Sequence, residues 1–337
     1  MTSQSQEVPQ VSQPKIAVLI PCYNEEATIV DVVRDFQAQL PAADICVFDN
    51  NSSDRTVQKA MEANAKVFHE RRQGKGFVVR SMFRGVEADI YVLVDGDGTY
   101  PAASAPELIA PLLNDDADMV IGSRLHAQSQ SVFRPANRLG NGLFLLLMNS
   151  IFRVHLTDLL SGYRAFNRKF VKGIPLFGGG FEIETELTIK ALERGYKVVE
   201  VPVDLAARPA GSHSKIRLVR DSVIILNTMF ALLRDYRPLT FFGSIGLLLS
   251  GAGALVGLAA FDEFVGKGAV SRTPSAVFAV SLLLSGFLSA SVGVILHTLV
   301  RRFQEFEHRL NLVVDELSNK NPGGRNRQPP GIQHGQL

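Results

Sequence analysis

Residues 90–98 read IYVLVDGDG, a short apolar run that ends in two aspartates separated by a glycine. Short runs rich in Val and Ile are typical of strands that are buried on both faces. The glycine lets the backbone turn and lets a ligand approach closely. This stretch therefore predicts a buried strand, Ile90–Val94, that carries Asp95 and Asp97 at its carboxyl end.

Other short apolar runs have the same character, and helix-like segments lie between several of them. The further predicted strands are Lys15–Ile20, Ile45–Phe48, Lys66–Phe68, Met119–Ile121 and Val198–Val201. The predicted helices are Glu26–Gln39, Asp54–Ala63, Phe77–Gly85 and Pro106–Leu113. Alternation of strand and helix is typical of βαβ units and hence of a mainly parallel sheet covered by helices. The sequence therefore predicts an α/β fold.

Polar residues also follow the first two predicted strands. The first is followed by the run PCYNEE, residues 21–26, and the second by Asp49 and several Asn and Ser. In open parallel sheets ligands bind beyond the carboxyl ends of the strands, so these residues belong to one candidate site. It is not a dinucleotide site, because no G-x-G-x-x-G follows the first strand. Nor is Gly74-Lys75-Gly76 a P-loop, because no Ser or Thr follows the lysine.

The two aspartates after the fourth strand are candidate metal ligands. Paired carboxylates suit Mg²⁺ or Mn²⁺, which such sites share with substrate phosphates. An EF-hand is excluded, since Thr99 and Tyr100 stand where a further Asp or Asn and a Gly are needed. The alternative is a plain Asp-Gly turn, which is common. Nearby, Asp49 offers a carboxylate to a base or ribose, and Lys75 offers a cation to a phosphate.

Two uncharged segments, Leu239–Phe261 and Ala276–Val300, hold the surplus of apolar residues in the chain. Each is long enough to span a bilayer as a helix, and both are rich in Gly, Ala and Ser. The alternative is a pair of buried core helices. Basic residues flank the pair on both outer sides: Arg220, Arg234, Arg237, Arg301, Arg302 and Arg309. We therefore expect a multi-pass protein of the inner membrane with both termini in the cytoplasm.

The organisation expected from these patterns has six parts. They are a disordered N-terminus at 1–14, a catalytic domain at 15–215, a juxtamembrane amphipathic helix at 216–237, a two-helix transmembrane hairpin at 238–300, a cytoplasmic helix at 301–318 and a disordered tail at 319–337. No secretory signal is expected at 1–14, which lacks an apolar run. The net charge of +2 argues against wholesale nucleic-acid binding.

Seven motifs in order resemble the family 2 glycosyltransferases of the GT-A fold. They are IPCYNEE from residue 20, FDNNSSDRT from 48, GKG from 74, DGDGTYP from 95, GSR from 122, DLLSGYR from 158 and RPAGSHSK from 208. Within that family the chain is similar to the polyprenyl-phosphate glycosyltransferases, including dolichol-phosphate mannose synthase and bacterial polyprenyl-phosphate glucosyltransferases. The similarity covers about residues 14–220. It implies a GT-A catalytic domain followed by two transmembrane helices.

The resemblance also implies roles for individual residues. It assigns the nucleotide sugar to Pro21, Tyr23, Asn24, Glu25, Asp49, Lys75, Asp95 and Gly96. It identifies Asp95 and Asp97 as the DxD motif, which holds Mg²⁺ or Mn²⁺ against the donor diphosphate. It assigns catalysis to Asp158, Arg124, Arg138 and Arg208, and the acceptor phosphate to Ser161, Arg164, Ser214 and Lys215. For Asp158 the alternative is a structural role, anchoring the loop at 161–164.

The sequence departs from the family pattern at two places. The second strand ends in Asp-Asn-Asn-Ser where the family commonly has Asp-Asp-Gly-Ser, which leaves recognition of the base open. Thr99 stands where some relatives carry a third metal-binding residue, a Gln, which leaves the coordination of the ion open.

The reaction implied is an inverting, metal-dependent transfer of a sugar from a nucleotide sugar to undecaprenyl or dolichyl phosphate. UDP-glucose is the preferred donor and GDP-mannose the second choice. We expect this reaction to take place at the cytoplasmic face of the membrane. We also expect the chain to form a homo-oligomer, for example a tetramer. One alternative, a processive polysaccharide synthase, typically needs a Q-x-x-R-W motif, and the chain has no Trp. The other is a catalytically silent membrane scaffold.

Overall fold

The computed structural model describes residues 13–124, 145, 148–150, 154–180, 183–205, 230–231, 233–235, 237–268 and 273–320. The chain divides into two compact units, Met1–Met229 and Phe230–Leu337. Most of the expected N-terminal segment, of the expected amphipathic helix and of the expected tail lies outside the described residues. Those three expectations therefore remain predictions.

The first unit is built on a seven-stranded sheet with the order β3-β2-β1-β4-β6-β5-β7. The strands are β1 Ile16–Cys22, β2 Asp44–Asp49, β3 Lys66–His69, β4 Ile90–Leu93, β5 Met119–Ser123, β6 Arg164–Asn167 and β7 Val198–Pro202. Only β6 runs against its neighbours, pairing antiparallel with both β4 and β5. The predicted mainly parallel sheet is confirmed, and β6 is a strand that the sequence patterns did not predict.

Helices cover both faces of this sheet. They are α1 Ile29–Gln39, α2 Thr56–Glu62, α3 Lys75–Gly85, α4 Ala105–Leu113, α5 Arg168–Gly173 and α6 Ile183–Glu193, with a short 3₁₀ turn at Ala102–Ser104. Alternate strand residues point to opposite faces, so β1 sends Val18 and Ile20 into one apolar layer and Leu19 into the other. The first layer contains α1, α2 and α4, and the second contains α3, α5 and α6. This packing fixes the carboxyl ends of β1, β2 and β4 side by side.

The second unit contains two long helices, α7 Pro238–Lys267 and α8 Thr273–Lys320. Within them, Pro238–Lys267 and Thr273–Phe303 are long and apolar enough to cross a membrane. The two helices pack closely where Gly246 faces α8, since a Cβ at this position would lie 2.7 Å from the carbonyl oxygen of Gly286. The segment at 301–318, expected as a separate helix, continues α8 without a break.

Candidate active site

The turn after β4 holds Asp95 and Asp97 in place through its own hydrogen bonds. One carboxylate oxygen of Asp97 accepts from the backbone N of Thr99 at 3.2 Å and from its hydroxyl at 2.6 Å. The carbonyl of Gly96 accepts from the hydroxyl of Thr28 at 2.6 Å, which ties the turn to the start of α1. The Asp97 carboxylate and the backbone of the turn are therefore held at the carboxyl end of β4, where the sequence predicts the two aspartates.

The ammonium of Lys75 lies between two carboxylates. Its Nζ is 2.5 Å from Oδ1 of Asp95 and 2.6 Å from Oε1 of Glu184, a residue in the first turn of α6. The Lys75 side chain is only 10% exposed. Burial by itself lowers the pKa of Lys75, but the charges of Asp95 and Glu184 outweigh it and raise the pKa above the ordinary value. Lys75 is therefore a fixed cation at the site.

The residues present fit a divalent cation. Asp95 and Asp97 supply the hard oxygen ligands that Mg²⁺ and Mn²⁺ prefer. Gly162 lies directly against Asp95, and a Cβ there would overlap Oδ2 of that carboxylate, so the missing side chain makes room for it. Among the described residues, no three His, Cys, Asp or Glu side chains come together as a metal site. The two aspartates suffice only if substrate phosphates and water complete the shell, as is usual for Mg²⁺.

Asp49 lies at the end of β2 and is almost completely buried. Its carboxylate accepts from the backbone N of Ser52 at 3.2 Å and lies 3.3 Å from Nδ1 of His69, at the end of β3. The next residue, Asn50, binds the loop that leads to α3. Its side chain donates to the carbonyl of Arg72 at 2.8 Å and accepts from the backbone N of Gly74 at 2.7 Å. Asn50, at which the sequence departs from the family pattern, therefore holds in place the loop that leads to Lys75.

The loop after β1 is joined to the loop after β2 by hydrogen bonds. The backbone N of Asn24 donates to the hydroxyl of Ser52 at 2.9 Å, and its side-chain oxygen accepts from the backbone N of Ser53 at 2.7 Å. Asn24 has a φ of 51°, in the left-handed region that Asn tolerates better than most residues. The ring of Tyr23 is 41% exposed beside this loop. This arrangement leaves an aromatic face and a buried carboxylate near each other on neighbouring strand ends.

Arg124 and Asp158 form a bidentate ion pair. Nε of Arg124 donates to Oδ2 of Asp158 at 2.7 Å, and Nη2 donates to Oδ1 at 3.0 Å. The backbone N of Leu160 donates to the same Oδ1. Burial alone raises the pKa of Asp158, but the Arg124 guanidinium outweighs it and holds the pKa below the ordinary value. Asp158 is therefore a buried carboxylate whose two oxygens are both engaged.

Ser161 and Arg164 are completely buried, which changes the role expected for them. The Ser161 hydroxyl donates to the carbonyl of Gly122 at 2.6 Å. The Arg164 guanidinium donates to the carbonyls of Ser161 and Leu159 and to the hydroxyl of Thr188. Both side chains are 0% exposed. In this arrangement neither offers a group to an acceptor phosphate, so we reassign them to anchoring the segment that carries Gly162 against Asp95.

Comparisons with known proteins show the family of the chain. The family described as Glycosyl transferase family 2 matches residues 17–174. Glycosyltransferase AglJ of Haloferax volcanii is 32% identical over 299 residues, which cover 87% of this chain and 98% of that protein. The chain belongs to glycosyl transferase family 2. A dolichyl-phosphate hexose transferase of the same organism is 30% identical over 193 residues, 57% of this chain and 83% of that protein.

Solved structures share the fold. Glucosyl-3-phosphoglycerate synthase from Mycobacterium tuberculosis, solved with Mn²⁺, UDP-glucose and phosphoglyceric acid, superposes with a TM-score of 0.55 at 22% identity. The match covers 65% of this chain and 79% of that one. The GT-A fold expected from the sequence motifs is therefore confirmed. The family match and the similarity to AglJ show that the chain is a glycosyltransferase.

Four other candidate residues of this family 2 enzyme are Arg138, Arg208, Ser214 and Lys215. All four lie outside the described residues, so their roles stay predictions. Conversely, the sequence patterns did not single out Glu184. It lies on a helix with polar residues on every face, which ordinarily indicates exposure, whereas Glu184, Thr185, Glu186, Thr188 and Lys190 are all buried. Only the tertiary structure shows that Glu184 belongs to the site.

Proposed function

We propose that this glycosyltransferase moves a hexosyl group from a nucleoside-diphosphate sugar to a polyprenyl phosphate. The observation that carries the proposal is the buried Lys75 cation held against Asp95, with Asp97 on the same turn, at the carboxyl end of β4. The name of the dolichyl-phosphate hexose transferase of Haloferax volcanii supports the acceptor class. UDP-glucose is the preferred donor and GDP-mannose the second choice.

The leaving group determines what the donor site has to do. Breaking the bond to the anomeric carbon leaves negative charge on a nucleoside diphosphate, which nearby cations stabilise. Asp95 and Asp97 would hold a divalent ion, Mg²⁺ or Mn²⁺, whose charge offsets that of the diphosphate. Lys75 supplies a permanent cation at the same place, because its raised pKa keeps it protonated. On the nucleoside side, Asp49 would accept a hydrogen bond from the base or ribose, with Tyr23 beside it.

The acceptor determines which groups the other side of the site requires. A phosphate monoester is largely ionised at neutral pH, so its attack on the anomeric carbon needs no strong general base. In this proposal Arg124 binds the acceptor phosphate, since the guanidinium fork suits phosphate oxygens. Asp158 then acts as the positioning residue that orients Arg124 and keeps it charged. A single in-line displacement of this kind inverts the anomeric centre.

Membrane attachment follows from the same proposal. A polyprenyl chain stays in the bilayer, so an enzyme that uses its phosphate has to work at the membrane surface. We propose that α7 and the apolar part of α8 form a transmembrane hairpin at 238–300, with a catalytic domain at 15–215 on the cytoplasmic side. The basic residues on both outer sides of the hairpin support this orientation.

A donor and acceptor screen tests the proposed function. The full chain in detergent is incubated with labelled UDP-glucose or GDP-mannose, each with undecaprenyl or dolichyl phosphate and Mn²⁺. The expected result is label in the lipid extract for one donor, lost with EDTA and in Asp97→Asn. Label that persists in both would reject the metal role, and no label with any pair would favour the silent scaffold.

A further inference from the structure

Glu184 is the second carboxylate that pairs with Lys75, beside Asp95. The two carboxylates on Lys75 differ in exposure, because the side chain of Asp95 is 30% exposed and that of Glu184 only 6%. Asp95 therefore faces the open side of the site, where a substrate or ion arrives, and Glu184 faces the protein interior. The buried ammonium retains one partner even when the exposed one is engaged elsewhere.

The segment at 178–179 links the start of α3, which carries Lys75, to α6, which carries Glu184. Gly178 and Gly179 lie directly against the start of α3, where a Cβ on Gly74 or Gly76 would overlap their carbonyl oxygens. The backbone N of Gly178 also donates to Glu186 of α6 at 2.7 Å. The segment at 178–179 therefore packs its backbone against the start of α3 and is held to α6 by the Glu186 carboxylate. This contact places the start of α6, which carries Glu184, beside Lys75.

We propose that Glu184 is a positioning residue that frees Asp95 to bind the divalent cation. A buried ammonium that loses its partner is costly, so Lys75 would oppose any ion that took Asp95 from it if Asp95 were its one partner. Because Glu184 continues to neutralise Lys75, Asp95 can turn its oxygens to the ion without leaving a buried charge unpaired. This inference rests on the proposed function in one respect, namely that Asp95 is a metal ligand.

A carboxylate at the opposite edge of the sheet offers a control. Asp118 is 9% exposed and accepts from the side chain of Asn167 at 2.9 Å. It directly precedes β5, level with the amino end of β4, whereas Asp95 lies beyond the carboxyl end of β4. If Glu184 only stabilises the fold, Glu184→Gln and Asp118→Asn have similar consequences. If it positions Lys75, only Glu184→Gln changes the binding of metal.

The test measures Mn²⁺ binding by calorimetry on the full chain in detergent, with no sugar transfer required. We expect Glu184→Gln to weaken Mn²⁺ binding about tenfold, as is typical for removing a charge next to an ionic site. Glu184→Asp keeps the charge and should remain within about threefold of the unchanged protein. Asp118→Asn should bind like the unchanged protein. The double variant Lys75→Met with Glu184→Gln should regain most of the affinity, because no ammonium then competes for Asp95.

Three outcomes would overturn the inference. They are no binding of Mn²⁺ by the unchanged protein, equal losses in Glu184→Gln and Asp118→Asn, and no recovery in the double variant. Thermal unfolding of each variant separates weak binding from failure to fold, and Glu184→Asp covers the case in which Glu184→Gln does not fold. Binding that follows the expected pattern in a protein that transfers no sugar would reject the proposed function alone. If the protein transfers sugar but Glu184→Gln binds Mn²⁺ as tightly as the unchanged protein does, this inference alone is rejected.

Discussion

Arg124 donates through Nε to Oδ2 of Asp158 at 2.7 Å and through Nη2 to Oδ1 at 3.0 Å. Asp158 is 1% exposed, whereas the side chain of Arg124 is 19% exposed. The aspartate is thus the interior half of the pair and the arginine is the half that reaches solvent. This asymmetry favours Asp158 as the support for a phosphate-binding arginine over Asp158 as a general base.

Replacing Asp158 by Asn should therefore lower the free energy of unfolding. Removing one partner of a buried pair leaves the other charge uncompensated and costs about 3 kcal/mol. Thermal unfolding of the full chain in detergent measures this. The control is Asp44→Asn, which breaks the more exposed pair with Lys66 and should cost less than about 1 kcal/mol. Equal losses in the two variants would contradict the role given to Asp158.

Glu70 should make part of the stability depend on pH. The hydrogen bond from Arg72 is the main reason that the pKa of Glu70 falls from 4.5 to about 2. Because the folded-state pKa is the lower one, the carboxylate stabilises the fold above pH 4.5 and this contribution is lost as the pH falls toward 2. Glu70→Gln should therefore unfold at a lower temperature at pH 7, and the difference should shrink by pH 3.

The control for this pH dependence is Glu62→Gln, at an exposed position on α2. The difference between its unfolding temperature and that of the unchanged protein should stay constant between pH 7 and pH 3. A difference between Glu70→Gln and the unchanged protein that stays constant over the same range would show that the carboxylate of Glu70 contributes nothing through its charge.

Gly162→Ala should damage the site while leaving the fold intact. The added Cβ would overlap Oδ2 of Asp95 and displace this carboxylate from its position beside Lys75. Misplacement of such a group by about 1 Å typically costs on the order of a hundredfold in rate. Initial rates of lipid glycosylation measure the effect. Gly85→Ala, where a Cβ meets nothing within 4 Å, is the control and should keep the rate.

Gly246 should be essential to the packing of α7 against α8. A Cβ there lies 2.7 Å from the carbonyl oxygen of Gly286, whereas at Gly243 it meets nothing within 4 Å. Gly246→Val should lower stability by about 1–3 kcal/mol through overpacking, and Gly243→Val by much less. Thermal unfolding in detergent compares the two. Similar unfolding temperatures for both variants would mean that the close contact does not stabilise the helix pair.

Local sequence patterns predicted the parts of the fold that depend on neighbouring residues. β4 and its two aspartates follow from a short apolar run that ends in a turn, and α7 and α8 from long uncharged segments. β6 was missed because RAFN contains no Val or Ile, unlike the equally short strands β3 and β4. An antiparallel strand inserted between two parallel ones depends on contacts distant in sequence, which local patterns do not record.

In the candidate site, too, local patterns predicted some residues and missed those that depend on contacts distant in sequence. Asp95, Asp97 and Lys75 were predicted because each directly follows an apolar run or opens a helix between glycines. Arg164 and Ser161 were assigned to a phosphate from the family resemblance, because the motif DLLSGYR does not reveal whether its side chains are exposed or buried. Glu184 was missed because its contact with Lys75 joins two helices that are far apart in the chain. The residues predicted correctly differ from those misassigned or missed in burial and in long-range pairing, rather than in residue type.

The measurement that tests the central claim most directly is the mass of the lipid product. Polyprenyl phosphate, nucleotide sugar and Mn²⁺ are incubated with the full chain, and the extracted lipid is analysed by mass spectrometry. The account predicts that the acceptor gains one hexosyl residue and still contains a single phosphate, with nucleoside diphosphate released. A lipid that gains hexose together with a second phosphate, or a chain of several hexoses, would contradict it.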